Sequence, residues 1–346
     1  MSQPTHLPAD FGYRMPAEWA PHAATWMSWP FDDEMWFGNL REVRAEYTEL
    51  VRTIAKVEAV HLLLRDQEAA ETASKALAGV KGVTTHMIPL DDAWLRDNGA
   101  IFIHAAGQKQ AAVNWRFNAW GGKYSWDNDD LVAPEMIAWT GVKRFDAPLV
   151  MEGGSLDVDG QGIALTTEQC LLTPTRNPEA GKAVLAKALK DYLGIEEVIW
   201  LGMGLEGDHT DGHIDTITRF AAPGKILSSV CHNKHDVNHE RMASNLRILQ
   251  NYRTRDGQGF EVIELPLPEK RMELEDGTRL APSYANFYIC NDTVIVPQYE
   301  DPQDQKALAV IRHAFPNHQV VGLPSRFIIM GGGSFHCLTQ QQPQPS

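Results

Sequence analysis

The chain has 346 residues, 43% of them hydrophobic, enough to bury a large core as one big domain or two modest ones. Its net charge of −14, from 31 basic and 45 acidic residues, argues against nucleic acid and anionic membrane surfaces as partners and mildly favours a cationic ligand. No apolar run approaches the roughly 20 residues of a membrane-spanning helix. The opening residues Met1-Ser2-Gln3-Pro4-Thr5-His6-Leu7-Pro8 lack the basic start and apolar stretch of a signal peptide, so the expectation is a soluble cytoplasmic protein. Cys170, Cys231, Cys290 and Cys337 form no Cys-x-x-Cys pair, which suits reduced thiols better than a disulfide frame or a zinc site.

In chain order, helical periodicity predicts helices over 40–56 and 67–78, flanking a strand at 60–64. Hairpins follow at 95–114, 151–167, 213–229 and 284–299, each turning through a segment with glycine or asparagine. Helices over 178–192, 238–252 and 302–315 follow three of them. A fifth strand start at 328–340 shows no return because the chain ends there. Within it, the glycines 331–333 follow the apolar run Phe327-Ile328-Ile329-Met330, read as a short buried strand. The first few residues and the tail 341–346 are expected to be disordered. Spacings of roughly 50 to 75 residues between units imply a repeated supersecondary element whose first strands line a shared centre.

The strand starts carry an unusual set of polar groups: Asp97, Glu152, His213 with Asp215, Asn286, and finally Cys337 after the glycines 331–333. On a strand, His213 and Asp215 would point the same way. Taken singly, each group has a plainer reading: Asp97 pairing with Arg96, Glu152 as a solvated rim carboxylate, Asn286 as a hydrogen-bonded strand residue, Cys337 as a small buried hydrophobe. A cysteine becomes a nucleophile only where its surroundings favour the thiolate. The cluster Asp208, His209, Asp211, His213 and Asp215 also offers metal ligands, but Gly207 and Gly212 make it a loop entering a strand rather than a helix face.

Four motifs in order resemble the agmatine deiminases, among the bacterial-type peptidylarginine deiminases of the guanidino-group-modifying superfamily. They are Trp94-Leu95-Arg96-Asp97-Asn98-Gly99, Glu152-Gly153-Gly154-Ser155, Asp211-Gly212-His213-Ile214-Asp215 and the segment from Gly331 to Gln341. The resemblance covers nearly the whole chain, including residues 118–124 and 283–299. It implies a single catalytic domain over 1–346, an α/β fold of five ββαβ blades forming a propeller around a central site, no metal or organic cofactor, and a homodimer. It also implies a hydrolase in putrescine and polyamine biosynthesis, converting agmatine to N-carbamoylputrescine and ammonia through an amidino-cysteine. On that reading Cys337 is the nucleophile, His213 the acid and base, and Glu152 its orienting partner. Asp97 and Asp215 grip the guanidinium, since a carboxylate can take one of its edges with two hydrogen bonds. Trp94, Trp120, Asn286, Asp208 and Asp211 complete substrate binding. Two departures stand out: Ser334-Phe335 replaces the usual Asn-Ile, and His209 replaces a second acid common in related sequences. Peptidylarginine or free-arginine deimination are the near alternatives. A metal-dependent hydrolase built on 208–215 and a guanidinium binder without turnover are the distant ones.

Overall fold

The computed structural model describes residues 6–345. Their strands form five small mixed sheets, four of three strands and one of four. The three-stranded sheets share one construction, an antiparallel hairpin whose second strand pairs in parallel with a third. The strands are Ile101–Ile103, Ala111–Arg116 and Lys143–Val150; Asp157–Val158, Ile163–Thr167 and Glu197–Leu201; Thr218–Ala222, Lys225–Val230 and Glu261–Pro266; Tyr288–Cys290, Thr293–Gln298 and Gln319–Pro324. A parallel return needs a long crossover, and the helices Val132–Thr140, Lys182–Leu193, Val237–Asn251 and Asp304–Ala314 supply it.

These helices follow from local chemistry. Lys182–Leu193 buries Leu185, Leu189 and Leu193 at helical spacing and stops at Gly194, whose φ of 69° is the left-handed cap glycine favours. Asp236 caps Val237–Asn251 by accepting from the N–H of Asn238.

The fifth sheet joins the two ends of the chain. Thr339–Pro343 pairs antiparallel with His22–Ser28, with Thr25 opposite Gln341, and His22–Ser28 pairs in parallel with Ala59–Leu64. The strand that lacked a return therefore finds its partner near the N-terminus. This corrects the expected disordered tail: Gln341 and Pro343 are buried in a strand, and the N–H of Gln344 donates to Pro21 O at 2.7 Å. Residues 1–5 and Ser346 lie outside the described residues.

A second correction concerns the strand starts. Leu95–Asn98, Gly153–Ser155, Ile214–Thr216 and Tyr284–Asn286 are single helical turns placed just before the first strands. Likewise 327–330 is not a strand: Ile328–Gly331 is one 3-10 turn, and Cys337 sits in a further turn directly ahead of Thr339–Pro343. One turn leaves no periodicity to read, but it gathers polar side chains and free N–H groups at a strand mouth.

Candidate active site

Gly154 marks the centre. A Cβ built there would lie 2.6 Å from His213 Nδ1, 2.8 Å from Asp97 Oδ1 and 3.0 Å from Asp215 Oδ2, so three turns from three sheets converge on one point. Asp97 is buried, and Asp215 and His213 are fully so.

Asp97 is fixed by two donors: the Gly154 N–H reaches Oδ1 at 2.9 Å and the indole N–H of Trp120 reaches Oδ2 at 2.9 Å. Burial pushes its carboxyl up to about 6; His213 and the Trp120 bond pull it down, while Asp215 and Glu152 push it further up. Trp120 itself adopts φ 55°, beside Ala119 at 47° and Gly121 at 91°, a left-handed run held by the Asn118 side chain accepting from the Gly121 N–H. Strained backbone of this kind persists only where surrounding bonds over-determine it.

His213 stands between two carboxylates, Nδ1 3.7 Å from Asp97 and Nε2 3.8 Å from Glu152. Burial opposes its charge, yet Asp97, Cys170 and Glu152 outweigh burial and hold its pKa well above the usual histidine value. Glu152 is fully buried rather than a solvated rim group. Burial would raise its pKa, but His213 and Arg176 outweigh that and lower it, and Arg176 Nε donates to Oε1 at 2.9 Å. Glu152, Cys170 and His213 are the one converging trio of possible metal donors among the described residues, within 4.8 Å of one another. Arg176 sets a cation against that trio, so the arrangement is better satisfied by ion pairs than by a metal.

Cys337 Sγ lies 3.1 Å from Asn286 Nδ2 and 3.5 Å from Asp215 Oδ2. Burial pushes the thiol well up, Asp215 and Asp97 push it further, and the Asn286 amide pulls it down. The resting sulfur is therefore a thiol that a cation near Asp97 and Asp215 would help ionise. Asn286 also accepts from the backbone N–H of His336 at 3.1 Å, fixing the turn that carries Cys337. Gly333 faces Trp94 and Cys337 so closely that a Cβ would meet them at 2.8 and 2.9 Å, which leaves a slot beside the sulfur.

A cavity of about 630 Å³ reaches this centre, with Trp94, Asp97, Trp120 and Cys337 in its wall. Asp208 and Asp211 are used elsewhere. Asp208 accepts from Thr210 N, Thr210 Oγ1 and His213 N at 2.8, 2.6 and 3.1 Å, shaping the loop that delivers His213. Asp211 pairs with Arg176 and, at 2.7 Å, with Lys123. Their neighbours His209 and Thr210 line the cavity instead.

Sequence reasoning missed the support behind Asp215. His336 links it to Glu18, with Nδ1 2.7 Å from Asp215 Oδ2 and Nε2 2.7 Å from Glu18 Oε2. Glu18 also accepts from Arg219 at 2.8 Å. Burial would raise the Glu18 carboxyl, but Arg219, His336 and Arg96 outweigh it and hold it far below the usual range. His336 was signalled by adjoining Cys337; nothing near Glu18 marked it.

A buried thiol, an imidazole held between carboxylates and two acids facing one open point suit covalent chemistry on a flat cationic carbon. That is the equipment of a deiminase-type enzyme. The chain belongs to the Porphyromonas-type peptidyl-arginine deiminase family, whose model matches residues 14–343. It is 36% identical to the agmatine deiminase of Ectopseudomonas mendocina (strain ymp) over 367 aligned positions, covering 100% of this chain and 99% of that protein. Its fold is similar to the solved agmatine deiminase of Enterococcus faecalis, with TM-score 0.93, 33% identity and 98% of each chain covered. The C. jejuni agmatine deiminase matches with TM-score 0.85 at 29% identity, over 96% of this chain and 97% of that one.

Proposed function

We propose that this chain is an agmatine deiminase, the name its relatives carry, and that it hydrolyses agmatine to N-carbamoylputrescine and ammonia. The observation that carries the reading is the convergence at Gly154 of Asp97, His213 and Asp215, with Cys337 Sγ 3.5 Å from Asp215. The two carboxylates hold the guanidinium by its N–H edges. Cys337 passes its proton along its hydrogen bond to Asp215 and so to solvent, and its thiolate forms a bond to the central carbon. The C–N bond to one terminal nitrogen breaks, and ammonia leaves with a proton from His213. The amidino-cysteine that remains is attacked by water, which gives a proton to the now neutral His213. The C–S bond then breaks as the adduct's hydroxyl proton passes to the departing sulfur, releasing the neutral ureido product and restoring the Cys337 thiol. Glu152 orients His213 from the Nε2 side, Asn286 steadies the sulfur, and Trp94 and Trp120 wall the slot for a planar cation.

In the same reading residues 1–346 form one catalytic domain, whose five sheets are the blades of a propeller closed by the pairing of Thr339–Pro343 with His22–Ser28. The enzyme acts as a cytoplasmic homodimer in putrescine synthesis; light scattering tests the oligomer. An ammonia-release assay with agmatine, free arginine and an arginyl peptide tests the substrate. Ammonia from agmatine alone is the expected result, and ammonia from none of the three would overturn the assignment. Cys337→Ala should abolish turnover while still binding agmatine.

A further inference from the structure

The cavity that reaches Cys337 has a second, acidic end, where Asp32, Glu34, Asp91 and Asp92 line it together with one arginine, Arg65. Most of these charges are already engaged. Arg65 Nε donates to Asp66 at 2.8 Å and its guanidinium lies 4.2 Å from the centre of the Phe31 ring. Asp91 accepts from the Asn128 N–H and the Asn128 amide, both at 2.8 Å, and Asp32 accepts from the Glu34 N–H at 2.9 Å. Glu34 is exposed to bulk water.

Asp92 shares with Asp32 the lack of a cationic partner, but it also stands against a buried acid. One of its oxygens accepts from the neighbouring Ala93 N–H at 2.6 Å; the other takes no hydrogen bond, and no lysine, arginine or histidine among the described residues pairs with it. Behind it lies Asp129, fully buried, whose Oδ1 accepts the N–H groups of Asp91 and Asp92 at 2.9 and 3.3 Å and whose Oδ2 has no partner. Burial, together with the charges of Asp129, Asp32 and Asp97, pushes the Asp92 carboxyl well above its usual value. A half-buried carboxylate among other acids, without a counter-cation, is satisfied by a cation arriving as ligand. Asp92 and Asp97 line the same cavity, so one short molecule with a cation at each end can answer both. Tyr124 adds a wall there: its phenol feels the Asp92 charge and its ring meets Trp120 edge-on at 5.8 Å.

We propose that Asp92 is the specificity residue that receives the substrate's far ammonium group while Asp97 and Asp215 hold the guanidinium. This rests on the deimination reading given above. Free arginine would bring its own carboxylate to this acidic end, and a peptidyl arginine would bring a neutral amide. A primary ammonium donates to Asp92 and offsets the surrounding negative charge.

The test is Asp92→Asn, which keeps the acceptor for the Ala93 N–H, assayed with agmatine and with n-butylguanidine, the same chain without the amine. The kcat/KM for agmatine should fall about 10- to 100-fold, mostly through KM, while that for n-butylguanidine stays within about twofold. Equal losses for both substrates, or no loss for agmatine, would overturn the proposal. Calorimetric binding of the two ligands to Cys337→Ala, with and without Asp92→Asn, judges Asp92 without turnover. A selective loss of agmatine affinity supports it even should the wild-type protein release no ammonia, and an unselective or absent loss sinks it even should ammonia be released.

Discussion

Gly154→Ala is the smallest change that strikes the centre directly. The added methyl would sit 2.6, 2.8 and 3.0 Å from His213 Nδ1, Asp97 Oδ1 and Asp215 Oδ2. Relief to ordinary contact near 3.4 Å demands shifts of about 0.4 to 0.8 Å in three of the proposed catalytic groups at once, in an interior too closely packed to absorb them elsewhere. A displacement of about 1 Å in a reacting group costs up to about 100-fold, so kcat should fall by tens-fold to about 100-fold. Stability should suffer less, about 1–3 kcal/mol for an overpacked methyl, because Gly154 does not occupy the left-handed region that would strain an alanine. Gly202→Ala is the control: the same methyl there meets nothing nearer than 3.5 Å. Steady-state ammonia release from agmatine, with urea melts of each variant, separates the two effects. A folded Gly154→Ala enzyme with kcat within threefold of wild type would refute the convergence on which the site is built.

The Asp97 carboxyl, raised to about 6, must be ionised to grip a guanidinium, so kcat/KM should climb with pH through about 6 and then level. A flat profile across that range removes Asp97 from the grip. Trp120→Phe deletes the 2.9 Å indole bond to Asp97 Oδ2, which should cut kcat/KM about 10-fold and move the acid limb upward, because that bond favours the ionised form. An unmoved limb contradicts this. Glu18→Gln strips the carboxylate from Arg219 and His336 and should cost about 3–5 kcal/mol in urea melts. Since the folded state lowers the pKa of Glu18, its contribution is present above the ordinary carboxylate pKa near 4.3 and is lost as pH falls toward the lower folded value. The gap between variant and wild type should therefore narrow below about pH 4, and a gap that widens there speaks against an ionised Glu18.

Most helices and the hairpins were legible because they repeat, as Leu185 and Leu189 do on one helix face, but Val132–Thr140 was not read as a helix. The third strand of each sheet was not. Glu197–Leu201 and Glu261–Pro266 are short, and only parallel pairing with strands far away in sequence makes them strands at all. At the site, glycine-flanked motifs identified Asp97, Glu152, His213, Asp215 and Cys337, whereas the residues that hold them came from unmarked places. Glu18 lies 318 residues from its partner His336, a separation that no local pattern encodes. The resemblance placed Asp208 and Asp211 with the substrate, but a charged side chain beside His213 can be spent on shaping its loop, as the Asp208 bonds to Thr210 and His213 are here.

The tail gives the clearest case of composition misleading. Gln341-Gln342-Pro343-Gln344-Pro345-Ser346 has the polarity and proline content of a disordered end, yet its first residues complete a sheet. Gln341 Oε1 accepts from Arg96 Nη1 at 2.6 Å, Gln342 Oε1 from the Trp26 indole at 2.9 Å, and Pro343 O from the Gln110 amide at 2.6 Å. Ladder pairs with Thr25, Ala24 and His22 add to these. At roughly 0.5–1.5 kcal/mol net for each bond, ending the chain after Gln340 should cost about 3–6 kcal/mol. It should also lower kcat, since Arg96 uses its backbone N–H to hold Cys337 O at 3.1 Å and would lose one of its two glutamine anchors. Removing Pro345 and Ser346 alone leaves those bonds intact and should leave both melting and turnover unchanged. If the chain ended at Gln340 melts and turns over like the full chain, then the pairing of Thr339–Pro343 with His22–Ser28 contributes nothing to the position of Cys337, and the closure of the fold around the site is an idle contact.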